Sequence, residues 1–418
     1  MTPGGELGIA VDLGSSSINV SVLSLDSGEQ VGSAVVSNPL LSEGPEVVSM
    51  LRSYVSSEPE SQRLRQRLTQ AVVLATRHAC SSGATDLRKV KSAVVAGNSV
   101  TRGIFFGRTL DELTRPPYTL GDRGAILQGA GDPTIPGFPD VTWYSPPCIE
   151  SFVGSDAVCV LLYALNRDDR VPLLVVDIGT NTEVSVCRDD CVWTASAASG
   201  PAFEGMAMEC GMPATVGAIW RVRIPSASSP PLVDTIDGGL PQGLCGTGAV
   251  SLLGELRLHG IMNAEGSIVR SSSPRVSVVG GIVRYAVVES QQHGVYITQP
   301  DIRMLQLSKA AIAAAVLRVL DVSETQLSQV ARVLLTGAFG LQLDLDAAYR
   351  IGLLPHMKDA VTVQVENAAL RGAEMILTES GLRREAEEIV ARARYVCLMD
   401  DMLFDEMVSA LRRFDRIQ

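Results

Sequence analysis

Val11-Asp12-Leu13-Gly14-Ser15-Ser16-Ser17 stands near the start of the chain, and Val176-Asp177-Ile178-Gly179-Thr180-Asn181-Thr182 says nearly the same thing 165 residues later (177 − 12). Each copy ends an apolar run, Leu7 to Val11 or Leu173 to Val176, with one carboxylate, one glycine and a row of hydroxyl or amide side chains. An alternating strand follows each, Ile18 to Leu23 and Glu183 to Cys187. This is the pattern of a β-hairpin whose tight turn points backbone N–H groups and small hydroxyls at one spot, a geometry suited to phosphate oxygens. The aspartate fits a hydrated Mg²⁺ or an oriented water better than phosphate itself. One such turn also serves as a plain hairpin; two at domain-length spacing predict paired phosphate loops facing one cleft.

The 418 residues suffice for two or three domains with full cores, and 46% apolar residues exclude general disorder. The most apolar stretches, such as Ala310 to Val316, are far shorter than the ~20 residues of a membrane helix, so no membrane role is expected. No basic, apolar and cleavage-site succession opens the sequence, which makes the cytoplasm the expected location. A net charge of −11 argues against extended contact with nucleic acid. The eight cysteines are scattered without any Cys-x-x-Cys, which favours thiols over disulfides and gives no iron–sulfur ligand set; the four histidines are isolated too.

Residues 8 to 37 read as three strands, followed by a helical region from about Pro45 to Cys80 interrupted near Ser56-Ser57-Glu58-Pro59. A buried strand, Ser92 to Ala96, and a helix through Phe106 come next. The prolines and glycines between Arg108 and Pro147 predict a long irregular loop system, after which helix resumes over Ser155 to Asn166. In the second half, the small-residue run Ala195 to Gly205 precedes the turn Gly243-Leu244-Cys245-Gly246-Thr247-Gly248, which leads into an amphipathic helix through Leu258 and offers amides to an anion. A further turn, Thr336-Gly337-Ala338-Phe339-Gly340, follows the strand Val333 to Leu335 and the helix Gln299 to Leu320. No Gly-Lys-Ser/Thr sequence occurs, so neither turn is a Walker loop.

Two Asp-x-Gly-Ser/Thr loops with a late Gly-Ala-Phe-Gly turn resemble the α/β ATPase fold shared by acetate and sugar kinases, heat-shock ATPases and actin: the two-lobed, ribonuclease H-like ASKHA fold with a duplicated hairpin-containing sheet domain. Within it the chain resembles the ATP-dependent reductive activators of corrinoid proteins. The resemblance is carried by Val95-Ala96-Gly97-Asn98, Ser151 to Asp156, Asp177 to Asn181, Gly200 to Gly205, Gly243 to Gly248, Gly337 to Gly340 and Asn367-Ala368-Ala369-Leu370. Thr182 and Glu366 stand where the family commonly has glycine.

The resemblance implies ATP-dependent return of a corrinoid protein or corrinoid methyltransferase from cob(II)alamin to cob(I)alamin. Family members usually carry a ferredoxin-like domain; here the first loop begins at residue 8, so the electron is expected from a separate ferredoxin or flavoprotein, and this chain is expected to hold ATP and Mg²⁺ but no iron–sulfur cluster. The implied sites are Asp12 with Gly14, Ser15, Ser16 and Ser17; Asp177 with Gly179, Thr180 and Asn181; Gly246, Thr247 and Gly248 for phosphate or ribose; and Gly337, Ala338 and Gly340 for the nucleoside, with glycines where a Cβ would block the nucleotide. Asp12 and Asp177 are the expected catalytic and Mg²⁺-holding carboxylates. Ser196, Ser199 and Glu204 are the expected contacts to the corrinoid partner, and a homodimer is expected. The expected division is 1–169, with irregular region 108–147; 170–390, with the second loop and the adenosine motif; and a strand and helix tail, 391–418, packing back. A small-molecule kinase of the same superfamily and a nucleotide-gated scaffold are the alternatives.

Overall fold

The strand β1 (Leu7–Leu13) is apolar on both faces, and Leu7, Ile9, Ala10, Val11 and Leu13 have no exposed surface, as a strand buried between two layers requires. The computed structural model describes residues 5–44, 46–129, 135, 138, 140–167, 170–205, 207–289, 294–337 and 343–417. β1 pairs antiparallel with β2 (Ser17–Ser24), which pairs antiparallel with β3 (Gln30–Ser37). The helices α1 (Val47–Val55) and α2 (Glu58–Ser82) follow. The expected interruption falls between them because Ser57 caps α2, accepting from Glu60 N–H at 3.4 Å, and Pro59 sits in its first turn.

β4 (Val90–Gly97) then pairs parallel with β1, and α3 (Ser99–Phe106) is capped by Asn98. The region expected to be irregular contributes two strands, β5 (Ile126–Gln128) and β6 (Thr142–Ser145), the latter parallel to β4. The reason is aromatic: Trp143 packs on Phe105 and Phe138 with ring centroids 5.6 and 5.7 Å apart, which draws the segment into the core despite its prolines. The sheet order is β3-β2-β1-β4-β6-β5, and α4 (Ser155–Leu165) covers it.

The second half repeats the plan. β7 (Leu173–Ile178), β8 (Thr182–Arg188) and β9 (Cys191–Ala197) lie side by side, as β1, β2 and β3 do. Two small sheets follow, one of β10 (Ala218–Arg223), β11 (Leu232–Thr235) and β12 (Gly243–Leu244), the other of β13 (Val276–Val279), β14 (Ile282–Val288) and β15 (Val295–Thr298), with α5 (Gly246–Leu258) between them in sequence. α6 (Gln299–Val322) starts at a capping box in which Thr298 Oγ1 accepts from Asp301 N–H at 3.2 Å and Asp301 Oδ2 accepts from Thr298 N–H at 2.9 Å. β16 (Arg332–Gly337) pairs parallel with β7, and after α7 (Leu345–Arg350), β17 (Val361–Gln364) pairs parallel with β16. The order β9-β8-β7-β16-β17 thus matches β3-β2-β1-β4-β6 strand for strand.

The remaining elements are α8 (Ala368–Thr378), α9 (Leu382–Ala391), β18 (Ala393–Tyr395) and α10 (Met402–Ala410). Contacts group the chain into two compact units, 1–169 with 190–192 and 367–395, and 170–189 with 193–366 and 396–418. Residues 367–390, expected within 170–390, and 391–395, expected in the tail, group with the first unit, where α8 packs on β1 and α4. A Cβ on Gly8 would lie 2.9 Å from the Leu377 methyls, and one on Gly372 would collide with the Cys159 carbonyl. All eight cysteines are free, and among the described residues no helix is long and apolar enough to cross a membrane.

Candidate nucleotide site

In the first unit the hairpin turn hangs from β1 and is braced from β3. A Cβ on Gly14 would lie 2.8 Å from the Ser17 carbonyl oxygen, so the turn closes only with glycine. Asn38 Nδ2 donates to the Gly14 carbonyl at 2.8 Å, and Asn38 N–H donates to the Ser16 carbonyl at 2.9 Å. Gly14, Ser15, Ser16 and Ser17 are all half-buried. Thr101 Oγ1 donates to the Leu13 carbonyl at 2.8 Å, tying the end of β1 to α3.

Three further segments gather at Asp12. Asn19, opposite it on β2, donates from Nδ2 to Asp12 Oδ2 at 3.2 Å. Asn367 Nδ2 donates to the same oxygen at 2.8 Å, while its Oδ1 caps α8 by accepting from Leu370 N–H at 2.9 Å. The first turn of α4 brings up Asp156: Ser155 Oγ meets both Gly97 N–H and the Gly97 carbonyl at 3.1 Å, and Gly154 lies against Gly97 and Asn98 so closely that a Cβ would come within 2.5 Å of both. Burial pushes the Asp12 carboxyl up to about 6 against the two amide hydrogen bonds that favour its charge. Burial, with the charge of Asp12 adding to it, pushes Asp156 up to about 7. The two carboxylates, Asp156 raised in part by the charge of Asp12, put acidic oxygens beside the loop, and oxygen ligands of this kind suit a divalent cation. Nothing local in the sequence marks Asn19 or Asp156 as a partner of Asp12; Asp156 and Asn367 stand inside the Ser151 to Asp156 and Asn367 to Leu370 motifs by position alone.

The second loop is held from one side by the run of small residues. Thr180 is 4% exposed, and its Oγ1 donates to Glu204 Oε1 at 2.6 Å. Gly200 N–H donates to the Thr180 carbonyl at 2.9 Å. The Ser199 hydroxyl lies 2.8 Å from Thr182 Oγ1 and 3.3 Å from the Gly179 carbonyl. Ser196 Oγ donates to Glu183 Oε1 at 2.9 Å, and Glu183 faces Asp177 across the β7–β8 pair. Gly179 and Asn181 are half-buried. Gly337, at φ +89°, lies beside the loop: a Cβ there would be 2.5 Å from Asp177 Oδ1. Ala338 and Gly340 fall outside the described residues.

The glycines of the Gly243 to Gly248 turn answer to packing. A Cβ on Gly246 would collide with the Phe203 carbonyl and one on Gly248 with the Ile219 carbonyl, so both glycines are required inside the unit itself. This differs from the expectation that they clear space for a nucleotide. Thr247 is buried, and its hydroxyl lies 3.2 Å from Cys245 Sγ. Cys245, at the N-cap of α5, makes no side-chain bond to the first-turn amides, which point along the helix axis.

Residues 172–415 match the family described as the C-terminal ASKHA domain of RACo, and residues 7–167 match the RACo middle region. The chain is 28% identical over 385 residues to the corrinoid activation enzyme RamQ of Eubacterium limosum, covering 88% of this chain and 64% of that protein. It is 25% identical over 409 residues to the [Co(II) methylated amine-specific corrinoid protein] reductase of Methanosarcina barkeri, covering 90% of this chain and 71% of that one. A solved structure of a reductive activator for a corrinoid, iron-sulfur protein superposes with a TM-score of 0.91 at 28% identity, covering 100% of this chain and 67% of the other. With two hairpin loops on duplicated sheets and a match running from residue 172 to 415, the chain belongs to the family of the RACo ASKHA domain.

Proposed function

We propose that this chain is an ATP-driven activator that returns a corrinoid protein from cob(II)alamin to cob(I)alamin. The observation that carries the reading is the likeness, along the whole of this chain, to a reductive activator for a corrinoid, iron-sulfur protein. One electron from a separate ferredoxin or flavoprotein reduces Co(II) to Co(I), and ATP hydrolysis makes the uphill transfer favourable. The dispersal of the cysteines along the sequence is the reason for a separate donor.

In this reading the Gly14–Ser17 and Gly179–Asn181 loops offer amides and hydroxyls to the phosphates, and Gly246, Thr247 and Gly248 add the first-turn amides of α5. Gly337, Ala338 and Gly340 serve the nucleoside. Asp12 and Asp177 would hold Mg²⁺, and the ion would supply charge neutralisation to the phosphates during transfer of the terminal phosphoryl group to water. Asn19 and Asn367 fix the direction of the Asp12 carboxylate. Ser196, Ser199 and Glu204 serve the corrinoid partner; Ser196, at the end of β9, and Glu204 are half-buried, whereas Ser199 is buried. Because a nucleotide shifts an equilibrium only through contacts that differ between two states, ATP must change the segment that meets the partner.

The test mixes purified protein, ATP, Mg²⁺, a cob(II)alamin-loaded corrinoid protein and an external reductant, followed by the cobalamin visible spectrum. ATP-dependent appearance of cob(I)alamin is expected. Consumption of ATP with phosphorylation of a metabolite, and no change at cobalt, would replace the reading with a small-molecule kinase.

A further inference from the structure

Thr180 carries one hydroxyl proton, and Glu204 takes it. A threonine hydroxyl donates one hydrogen bond and accepts others, whereas a phosphate oxygen can only accept. For Thr180 to donate to a phosphate at the Gly179–Asn181 loop, it must therefore withdraw its proton from Glu204 Oε1, now 2.6 Å away. Thr180 is 4% exposed, so water offers its hydroxyl little compensation in the exchange, while Glu204 is half-buried. Glu204 also reaches over the glycine of the loop, its Oε1 lying 3.7 Å from where a Gly179 Cβ would stand. A carboxylate in that place opposes an arriving phosphate by charge as well as by competition.

The segment bearing Glu204 is built to respond. Pro201–Glu204 is a single 3-10 turn set between Gly200 at φ +76° and Gly205 at φ +77°, two left-handed positions that only glycine adopts without strain. Upstream, Gly200 N–H and the Ser199 hydroxyl bind the carbonyls of Thr180 and Gly179. Downstream, a Cβ on Gly205 would collide with the Met212 carbonyl, and Phe203 lies against Gly246 at the start of α5. The turn is thus tied on one side to the loop and on the other to the α5 turn.

We propose that Glu204 is a positioning residue of the second loop: its carboxylate and a phosphate oxygen compete for the proton of the Thr180 hydroxyl, so that phosphate occupancy is transmitted to residues 199–205. The proposal rests on the nucleotide reading of the previous subsection and adds to it the route by which ATP reaches the segment assigned to the partner. The turn is a relay whose input is the Thr180 proton.

Glu204→Gln keeps an acceptor of the same shape and removes the charge, and Thr180→Val removes the contested proton. The expected result is an ATP Kd about tenfold tighter in Glu204→Gln, since a neutral acceptor holds the hydroxyl less strongly than a charged one. In the Thr180→Val background the same Glu204 substitution should tighten the Kd far less, through the charge effect alone, and this non-additivity is a readout that loss of packing would not give. ATP should also speed amide hydrogen exchange over residues 199–205 in the unaltered protein. An unchanged or weaker Kd in Glu204→Gln, equal tightening in both backgrounds, or exchange indifferent to ATP would overturn the proposal while leaving nucleotide binding intact. Absence of ATP binding by the unaltered protein would instead strike down the nucleotide reading itself.

Discussion

Asp12 is held by two amides of very different origin, Asn19 seven residues away and Asn367 at a separation of 355. The first is visible in the sequence as the next outward-facing position of a hairpin; the second is not, since no local pattern links a residue to one so distant. The same holds for Asp156, whose place in the first turn of the helix expected over Ser155 to Asn166 is legible but whose proximity to Asp12 is not. Both carboxyls stand above their ordinary range in the fold, Asp12 at about 6 and Asp156 at about 7. A raised pKa means that the folded state binds more protons than the unfolded chain between the two values, so stability must fall as pH rises through that window. For Asp12 the loss runs from about pH 4 to about pH 6, with Asp156 extending it to about pH 7, and amounts to at most roughly 3 kcal/mol for Asp12. Asp12→Asn is therefore expected to flatten the decline in Tm between pH 4 and 7 and to raise Tm at pH 7.5 by several degrees, measured without Mg²⁺, while lowering ATP turnover by orders of magnitude. A variant that keeps wild-type turnover would remove Asp12 from the metal role.

At the scale of elements, periodicity served well where a segment was long and uniform. The helix expected over Gln299 to Leu320 is α6, Gln299–Val322, and the apolar stretch Ala310 to Val316 is nearly all buried within it. The strands of the two small sheets are not legible in the sequence, because short and partly exposed strands such as β11 and β13 carry neither strict alternation nor a continuous apolar run. Nor does sequence show what anchors the last residues. Phe414 has no exposed surface, and Lys309 Nζ lies 5.6 Å from its ring centroid while donating to the carbonyls of Arg413 at 2.6 Å and Gly352 at 3.2 Å. Burial pushes the ammonium down to about 8, against the charge of Asp415, which favours the protonated form. Arg257 Nε donates to the Phe414 carbonyl at 2.9 Å, and Gln306 Nε2 to that of Arg412 at 2.7 Å. Three side chains from two helices thus clamp a tail with no regular structure of its own. Phe414→Ala should cost about 3–5 kcal/mol in urea unfolding of the second unit and expose Arg412 and Arg413 to trypsin. Unchanged cleavage would mean that the polar clamp alone retains the tail.

Across the whole molecule, duplication was legible from two seven-residue echoes, and the matched strand orders show how far it extends. What the echoes could not show is that the first unit is discontinuous. Residues 367–395 return to it after residues 193–366 of the second unit, bringing Asn367 to Asp12 and α8 to α4, where Gly372 packs so closely on Cys159 that no side chain fits. A chain ending at Glu366 should accordingly show weak amide protection in β1 and α4, restored when a peptide of residues 367–395 is added; full protection without the peptide would make α8 dispensable. The arrangement also sets a clock on biosynthesis. At ribosomal speeds of roughly 5–20 residues per second, the ~200 residues between Asp169 and Asn367 take ~10–40 s to appear. Through that interval the nascent first unit carries an uncovered groove beside β1, so a chaperone that shields apolar surface has its longest engagement here, before the chain's own helix arrives to displace it.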